Sequence, residues 1–262
     1  MVIEIIYIIY GVGEMKWNSE LYDNAQGFVS EYGKELITLI QEKENQKILD
    51  LGCGTGDLTW EIAKRFSCDV IGSDYSKEMI IKAKEKYHTL DFSVYDACKI
   101  PFTNEFDVIF SNAVFHWISD QKALHQSIYN ALKKNGMLIC EFGGYRNIEN
   151  ISNAFKKAIE KYGDSYISPF YFPKVENHVE ILESIGFVIN KIYDYDRPTI
   201  LPNGDLGLRQ WVCQFFSSDL FKYEKDKQEE ILLFVENELR ETRFDGEKWT
   251  ADYRRLRVIA HK

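Results

Sequence analysis

The sequence predicts an α/β fold, a mostly parallel sheet with helices packed on both faces. Three observations predict it. Short apolar runs alternate with helix-period patterns between residues 47 and 142. A glycine-rich turn, Gly52-Cys53-Gly54-Thr55-Gly56, joins the first apolar run to the first helical pattern. Aspartates, Asp74 and Asp96, close two of the runs that follow. Parallel neighbours need a crossover connection, so alternating strand and helix signals are the mark of such a sheet.

The elements follow in order. Val2–Tyr10 is an apolar arm carrying Glu4. It is too short to span a bilayer and lacks the basic start of a signal peptide. It reads as a β-like arm or as translated upstream sequence with Met15 as the native start, and the second reading is preferred. Trp17–Ile40 is an amphipathic opening. Lys47–Leu51 reads as a buried strand, Asp57–Phe66 as a helix and Asp69–Asp74 as the second strand. Ser76–Tyr87 reads as a helix with Ser76 at its N-cap. Leu90–Asp96, Phe106–Ser111 and Gly136–Phe142 read as three more strands. Before the last of these, Gln121–Lys133 is a helix stopped near Asn135-Gly136. Lys174–Ser184 is a helix ended by Gly186, and Phe187–Tyr195 and Arg255–His261 are strands. Helical stretches such as Asp226–Arg243 separate those two strands, after a turn-rich cluster at Pro198–Gly204.

The expected organisation is an opening arm and helix over 1–46 and a sheet core drawn from 47–146, 186–197 and 254–262. Helical insertions over 147–185 and 198–253 cap its site. No linker marks separable domains.

Composition narrows the function. Of 262 residues, 45% are hydrophobic and 15% aromatic, enough for a real core. The formal net charge is −9 with no Lys/Arg run, which argues against a nucleic-acid partner. Without an amphipathic basic helix, a membrane partner is not expected either. The five cysteines are odd in number and lack C-x-x-C spacing, so neither a disulfide framework nor a zinc site is expected, and a cytoplasmic location is. The five histidines form no i, i+4 pair, so no metal is expected.

The glycine turn lies where open α/β sheets bind ligands, at the strand carboxyl ends. A dinucleotide fingerprint would place pyrophosphate at the following helix N-terminus, but there Gly56 is followed by Asp57, whose charge repels phosphate. The Walker lysine is missing as well. An ammonium-bearing ligand without phosphates, such as S-adenosylmethionine, suits acidic surroundings. Asp74 follows the turn by about twenty residues, the spacing at which a carboxylate accepts ribose hydroxyls. Asp96, beside Ala97, is placed to bond an adenine amino group.

With these residues in view, the segment from Lys47 to Phe142 resembles the Rossmann-like class I methyltransferases, in particular the trans-aconitate methyltransferase-like and type 11 group. The resemblance rests on Leu49-Asp50-Leu51-Gly52-Cys53-Gly54-Thr55-Gly56, Gly72-Ser73-Asp74-Tyr75-Ser76 with Met79, Asp96-Ala97, and Phe110-Ser111-Asn112-Ala113-Val114-Phe115-His116-Trp117. Trp17-Asn18, Tyr22 and Phe28 are similar to that group's cofactor-covering helix. The resemblance implies a sheet whose last strand is antiparallel, with S-adenosylmethionine as cofactor. It puts Gly52, Gly54 and Gly56 at the methionine moiety, Asp74 at the ribose, Asp96 and Ala97 at the adenine, and Asn112 near the methionine end. Asp50, Cys53, Tyr75, Met79 and Tyr22 complete the implied cofactor set.

Methyl transfer to a small-molecule acceptor is the expected reaction, with a carboxylate or hydroxyl favoured. A carboxylate needs no base, whereas a hydroxyl must lose a proton. His116 is the candidate catalytic base, and packing beside Trp117 is its plain alternative. Where nucleic-acid amino-methyltransferases of this class carry Asn/Asp-Pro-Pro-aromatic, this chain has Asn112-Ala113-Val114-Phe115, which turns the expectation away from base acceptors. Phe170, Phe172 and Trp211 are candidates for an apolar acceptor pocket with Arg254 as anion anchor, against the alternatives of core packing and an Arg254–Asp252 pair. Competing readings are a silent cofactor-binding protein, a cyclopropane-forming lipid enzyme and an NAD-dependent oxidoreductase.

Overall fold

The computed structural model describes residues 27–262; the arm over 1–14, Trp17, Asn18 and Tyr22 lie outside the described residues. These residues cluster into two compact units. The sheet unit takes the described chain up to Tyr145, then Phe170–Tyr195 and Arg255–Lys262. The helical unit takes Arg146–Pro169 and Asp196–Arg254.

The sheet has seven strands: β1 (Gln46–Leu51), β2 (Cys68–Asp74), β3 (Asp91–Val94), β4 (Phe106–Asn112), β5 (Leu132–Gly143), β6 (Val188–Asp196) and, last in the chain, β9 (Arg254–His261). Their spatial order is β3-β2-β1-β4-β5-β9-β6. β1 through β5 pair in parallel, and β9 runs antiparallel to β5. The order reverses at β1, with β2 on one side and β4 on the other, and the crevice at such a switch point is where open α/β sheets bind ligands.

Consecutive residues in the central strands feed two different cores, as strands covered on both faces require. Ile48, Val108, Phe110 and Ile139 face one layer, with Leu36, Ile37 and Ile40 from α1 (Gly27–Ile37) and the turn after it, and Ile62 from α2 (Asp57–Arg65). Leu49, Ile109, Leu138 and Phe142 face the other, with Leu124 and Ile128 of α4 (Gln121–Ala131) and Leu182 of α6 (Val175–Ile185). A smaller cluster joins Ile80 and Ala83 of α3 (Lys77–Lys86) to Phe92 of β3. Ser76 caps α3 as expected, accepting the Met79 N–H at 3.3 Å.

Two strand boundaries differ from expectation for local reasons. β3 stops at Val94 because Asp96 turns to accept the Cys98 N–H and caps a short 3-10 turn over Ala97–Lys99. β5 starts early, at Leu132, and a register shift opposite β4 lets Asn135 take a left-handed conformation with φ 63°.

Residues 170–185 also differ. Expected within an insertion, they belong to the sheet unit, because Leu182 is fully buried and Val175 and Ile185 pack on the core beneath α4. The remaining inserted residues build a core of their own, from Phe155 on α5 (Glu149–Glu160), Trp211 on α7 (Gly207–Phe215), Phe216 just before α8 (Ser217–Leu220), and Val235 and Leu239 on α9 (Lys225–Arg243). Arg209 ties α7 to α9 through Glu236 and Glu229. A two-stranded antiparallel ribbon, β7 (Thr199–Ile200) with β8 (Thr250–Ala251), closes the base of this unit.

Beneath α4 lies a fully buried histidine pair. His125 donates from Nδ1 to the Gln121 carbonyl at 2.8 Å and meets His178 edge-on, ring centroids 4.8 Å apart. Burial lowers the His125 pKa from 6.5 to about 4. The unfolded chain therefore takes up this proton before the folded protein does. Stability from a neutral His125 is complete above pH 6.5 and is lost as pH falls toward 4. A His125→Leu variant should show a shallower loss of stability between about pH 6 and 4.5, by roughly 1.4 kcal/mol per pH unit in urea melts. Equal slopes would show that the native protein already accommodates the charge.

Candidate active site

The glycine turn is held in place by the tip of β2. Gly52 N–H and Cys53 N–H both donate to the Ser73 carbonyl, at 2.7 and 2.8 Å. Gly54 N–H donates to Asp74 Oδ2 at 3.0 Å, and Ser76 N–H donates to Oδ1 at 2.8 Å. Two glycines here differ in what requires them. At Gly52, φ is +80° and an added Cβ would lie 2.2 Å from Val114 Cγ2, so packing forbids a side chain. At Gly54, φ is +55° and an added Cβ would meet nothing within 4 Å. Open ground beside bare main chain is what a ligand-facing position requires.

Burial raises the Asp74 carboxyl above its ordinary pKa, against backbone N–H groups of Ser76, Gly54 and Tyr75 that favour the charged form. These donors do not exhaust the lone pairs of the two oxygens, so the carboxylate can still receive a ligand hydroxyl. Asp50 lies buried under the turn and accepts from Thr59 Oγ1 at 2.6 Å. Burial pushes its pKa up to about 7, with Thr59 opposing and the nearby Asp74 charge adding. Cys53 is buried and Met79 is packed in α3, while Tyr75 is 80% exposed beside Asp74.

Across the sheet edge the expected residues come in sequence: Asp96 and Ala97 after β3, Asp74 at the end of β2, Gly52 to Gly56 after β1 and Asn112 at the end of β4. Three inter-strand spacings of about 4.8 Å give roughly 14 Å, room for an elongated ligand laid across four strand ends. Asp57 stands at the start of α2 with its carboxylate engaged by Lys86 and Tyr87, so its charge repels phosphate less than the sequence implied.

Beyond Asn112 the chain turns sharply. Ala113 has φ +62° and donates its N–H to the Glu141 carbonyl at 2.7 Å, and a 3-10 turn, Phe115–Trp117, follows. His116 is buried there, its Nδ1 accepting the Gly143 N–H at 3.3 Å. Burial, aided by the positive charge of Arg255, lowers its pKa to about 3. Tyr171 N–H donates to the His116 carbonyl at 2.9 Å, laying Phe170 and Phe172 along this turn. Phe170 stacks on Phe172 with centroids 5.3 Å apart and meets Trp117 edge-on at 4.8 Å. His116 lies 5.9 Å from Phe172.

The other two acceptor candidates sit in the helical unit. Trp211 is buried and donates Nε1–H to Tyr253 at 2.6 Å. Arg254 pairs with Asp196 at 2.6 Å, while the expected partner Asp252 instead receives Asn150. Trp117, Arg255 and Arg257 do not stand out as site residues in the sequence. The signal available was arginine at alternate positions of an otherwise apolar strand, Arg255-Leu256-Arg257-Val258, which in a buried strand implies ionic partners. Among the described residues no group of three or more metal-ligating side chains occurs, and no helix is long and apolar enough to cross a membrane.

Comparison with known proteins places this geometry. The family model described as a methyltransferase domain matches residues 42–182. The chain is 31% identical to an uncharacterised methyltransferase of Schizosaccharomyces pombe, over 94% of this chain and 98% of that protein. It is 28% identical to the trans-aconitate 2-methyltransferase of Deinococcus radiodurans, over 76% of this chain and 80% of that one. Among solved structures it is similar to phosphoethanolamine N-methyltransferase 2 of Haemonchus contortus in complex with S-adenosyl-L-methionine. There the TM-score is 0.56 at 21% identity, covering 96% of this chain and 60% of that one. With a mostly parallel sheet, a single antiparallel strand beside β5 and a glycine turn fastened to Asp74, the chain belongs to the methyltransferase domain family and is an S-adenosylmethionine-dependent methyltransferase.

Proposed function

We propose that the acceptor is a small carboxylic acid, methylated on a carboxylate oxygen. The observation that carries this reading is the state of His116. Its Nδ1 is taken by the Gly143 N–H, and its pKa near 3 leaves it neutral and too weakly basic to deprotonate a hydroxyl or an ammonium. An acceptor that is already an anion needs no such base. The nearby charge of Arg255 favours an anion on this side of β4, and the trans-aconitate methyltransferase named above acts on an acid of this class.

S-adenosylmethionine supplies a methyl group activated by its sulfonium. The chain's own residues bind and align. Asp74 receives the ribose hydroxyls, the turn around Gly54 offers bare backbone, and Asp96 with Ala97 takes the adenine. Asn112 lies toward the methionine end. Phe170, Phe172 and Trp117 form the apolar wall that excludes water on the acceptor side, where displacement at carbon gains from alignment and desolvation. His116 packs in that wall. Trp211 and Arg254 stay outside this reading because their polar groups are engaged within the helical unit.

Calorimetric titration with S-adenosylmethionine tests the cofactor side. Gly54→Ala should keep its fold, losing about 1–2 kcal/mol to the left-handed backbone, yet bind at least about tenfold more weakly. Asp74→Ala should lose measurable binding altogether. Wild-type affinity in both variants would remove the assignment of the turn.

A screen of small di- and tricarboxylic acids, scored for methyl ester formation, tests the acceptor. Turnover on one of them should fall less than about tenfold in His116→Asn, whereas loss of a general base would cost about 10²–10⁴-fold. Turnover confined to amines or hydroxyl compounds, together with the larger loss, would overturn the carboxylate reading.

A further inference from the structure

Arg257 sits in β9 opposite Glu141 of β5 and is 4% exposed. Its guanidinium makes four contacts. Nε donates to Glu141 Oε2 at 2.7 Å, Nη2 to the Tyr195 hydroxyl at 2.8 Å, and Nη1 to the Tyr193 hydroxyl at 3.3 Å. Those partners belong to the sheet, and Tyr195 in turn donates to Glu141 Oε2 at 2.7 Å. The fourth contact leaves the sheet: Nη1 donates to Glu35 Oε1 on α1 at 3.0 Å. A buried ion pair is a weak device for stability, since a well-packed apolar group serves as well. What this arrangement adds is a directed tie from the sheet to one helix.

That helix is placed to matter. Leu36 and Ile37 of α1, with Ile40, pack on the middle of the sheet. One turn earlier, a Cβ on Gly33 would fall 2.4 Å from Leu58 Cδ1 and 3.1 Å from Asn112 Nδ2. Leu58 is in the first turn of α2 beside the glycine turn, and Asn112 ends β4. So α1 rises toward the strand carboxyl ends, with Gly33 close against Leu58 and Asn112. The same Glu141 that holds Arg257 accepts the Ala113 N–H on its carbonyl, so the arginine's main partner also shapes the turn after Asn112.

We propose that Arg257 is a positioning residue for cofactor binding. Through Glu35 it fixes α1 against Asn112 and so holds the methionine end of the cofactor site closed. The inference rests on the reading of Asn112 as a methionine-end residue. Arg257 itself touches no reacting atom.

The test uses the full chain, with S-adenosylhomocysteine titrated calorimetrically and hydrogen exchange of residues 27–37 followed in the free protein. Glu35 is 64% exposed, and Glu35→Gln takes the carboxylate charge out of the tie. It should melt within about 2 °C of wild type, since exposed ion pairs add little. It should also bind about three- to fivefold more weakly, with faster exchange in α1. Arg257→Met should weaken binding further and Arg257→Lys should recover part of it. Glu35→Gln with wild-type affinity and unchanged exchange overturns the proposal, and so does Arg257→Met that melts early yet binds normally below its transition. If Arg257→Met does not fold, Glu35→Gln decides alone. Asn112→Ala separates the two readings: wild-type affinity there, beside weakened Glu35→Gln, keeps the tie and removes Asn112 from the cofactor.

Discussion

Everything at the site depends on how the tip of β2 receives the glycine turn. One carbonyl, that of Ser73, takes two N–H groups, and one carboxylate, that of Asp74, takes N–H groups from both sides. These bonds set the course of the turn after β1, the start of α2 and the start of α3 together. An aspartate suits this place because its short side chain lets the carboxylate reach the backbone of its own turn as well as the neighbouring loop. Its cost is desolvation, visible in the raised pKa, and the backbone donors offset that cost before any ligand arrives. The binding edge is therefore organised by the protein's own hydrogen bonds.

A second constraint operates beyond β4, where a left-handed alanine and a 3-10 turn bring His116 under Gly143. The imidazole is treated as a packing group: its acceptor nitrogen is matched to a backbone donor and a neighbouring arginine discourages its charge. A histidine near a reaction centre invites assignment as a base, but tautomer and surroundings decide what it can do. Here they leave it a neutral aromatic group packed in the turn after β4.

Much of the sheet was legible because local and global signals agree there. Lys47–Leu51, Phe106–Ser111 and Gly136–Phe142 are apolar on consecutive positions, and strands buried on both faces must be. Asp74 and the glycine turn were legible by spacing. Asp96 reads from sequence as the end of a strand, since an aspartate that caps the next turn looks the same there as one that ends a strand. Residues 170–185 were placed with the insertions because their attachment to the sheet runs through Leu182 and α4, a contact no local pattern encodes. Arg257 escapes for the same reason: whether an arginine is a surface group or a buried tie depends here on Glu141, Glu35 and Tyr195, all remote in the chain.

The longer segment of the helical unit, Asp196–Arg254, begins and ends at neighbouring points. Arg197 N–H donates to the Tyr253 carbonyl at 2.7 Å, and the Asp196–Arg254 ion pair lies beside it. Because those two feet are already joined, the entropy of closing the intervening loop changes only slowly with its length. The stretch between them is thus an exchangeable cassette in evolutionary terms. Lineages can lengthen, shorten or replace it while β6 and β9 keep their places.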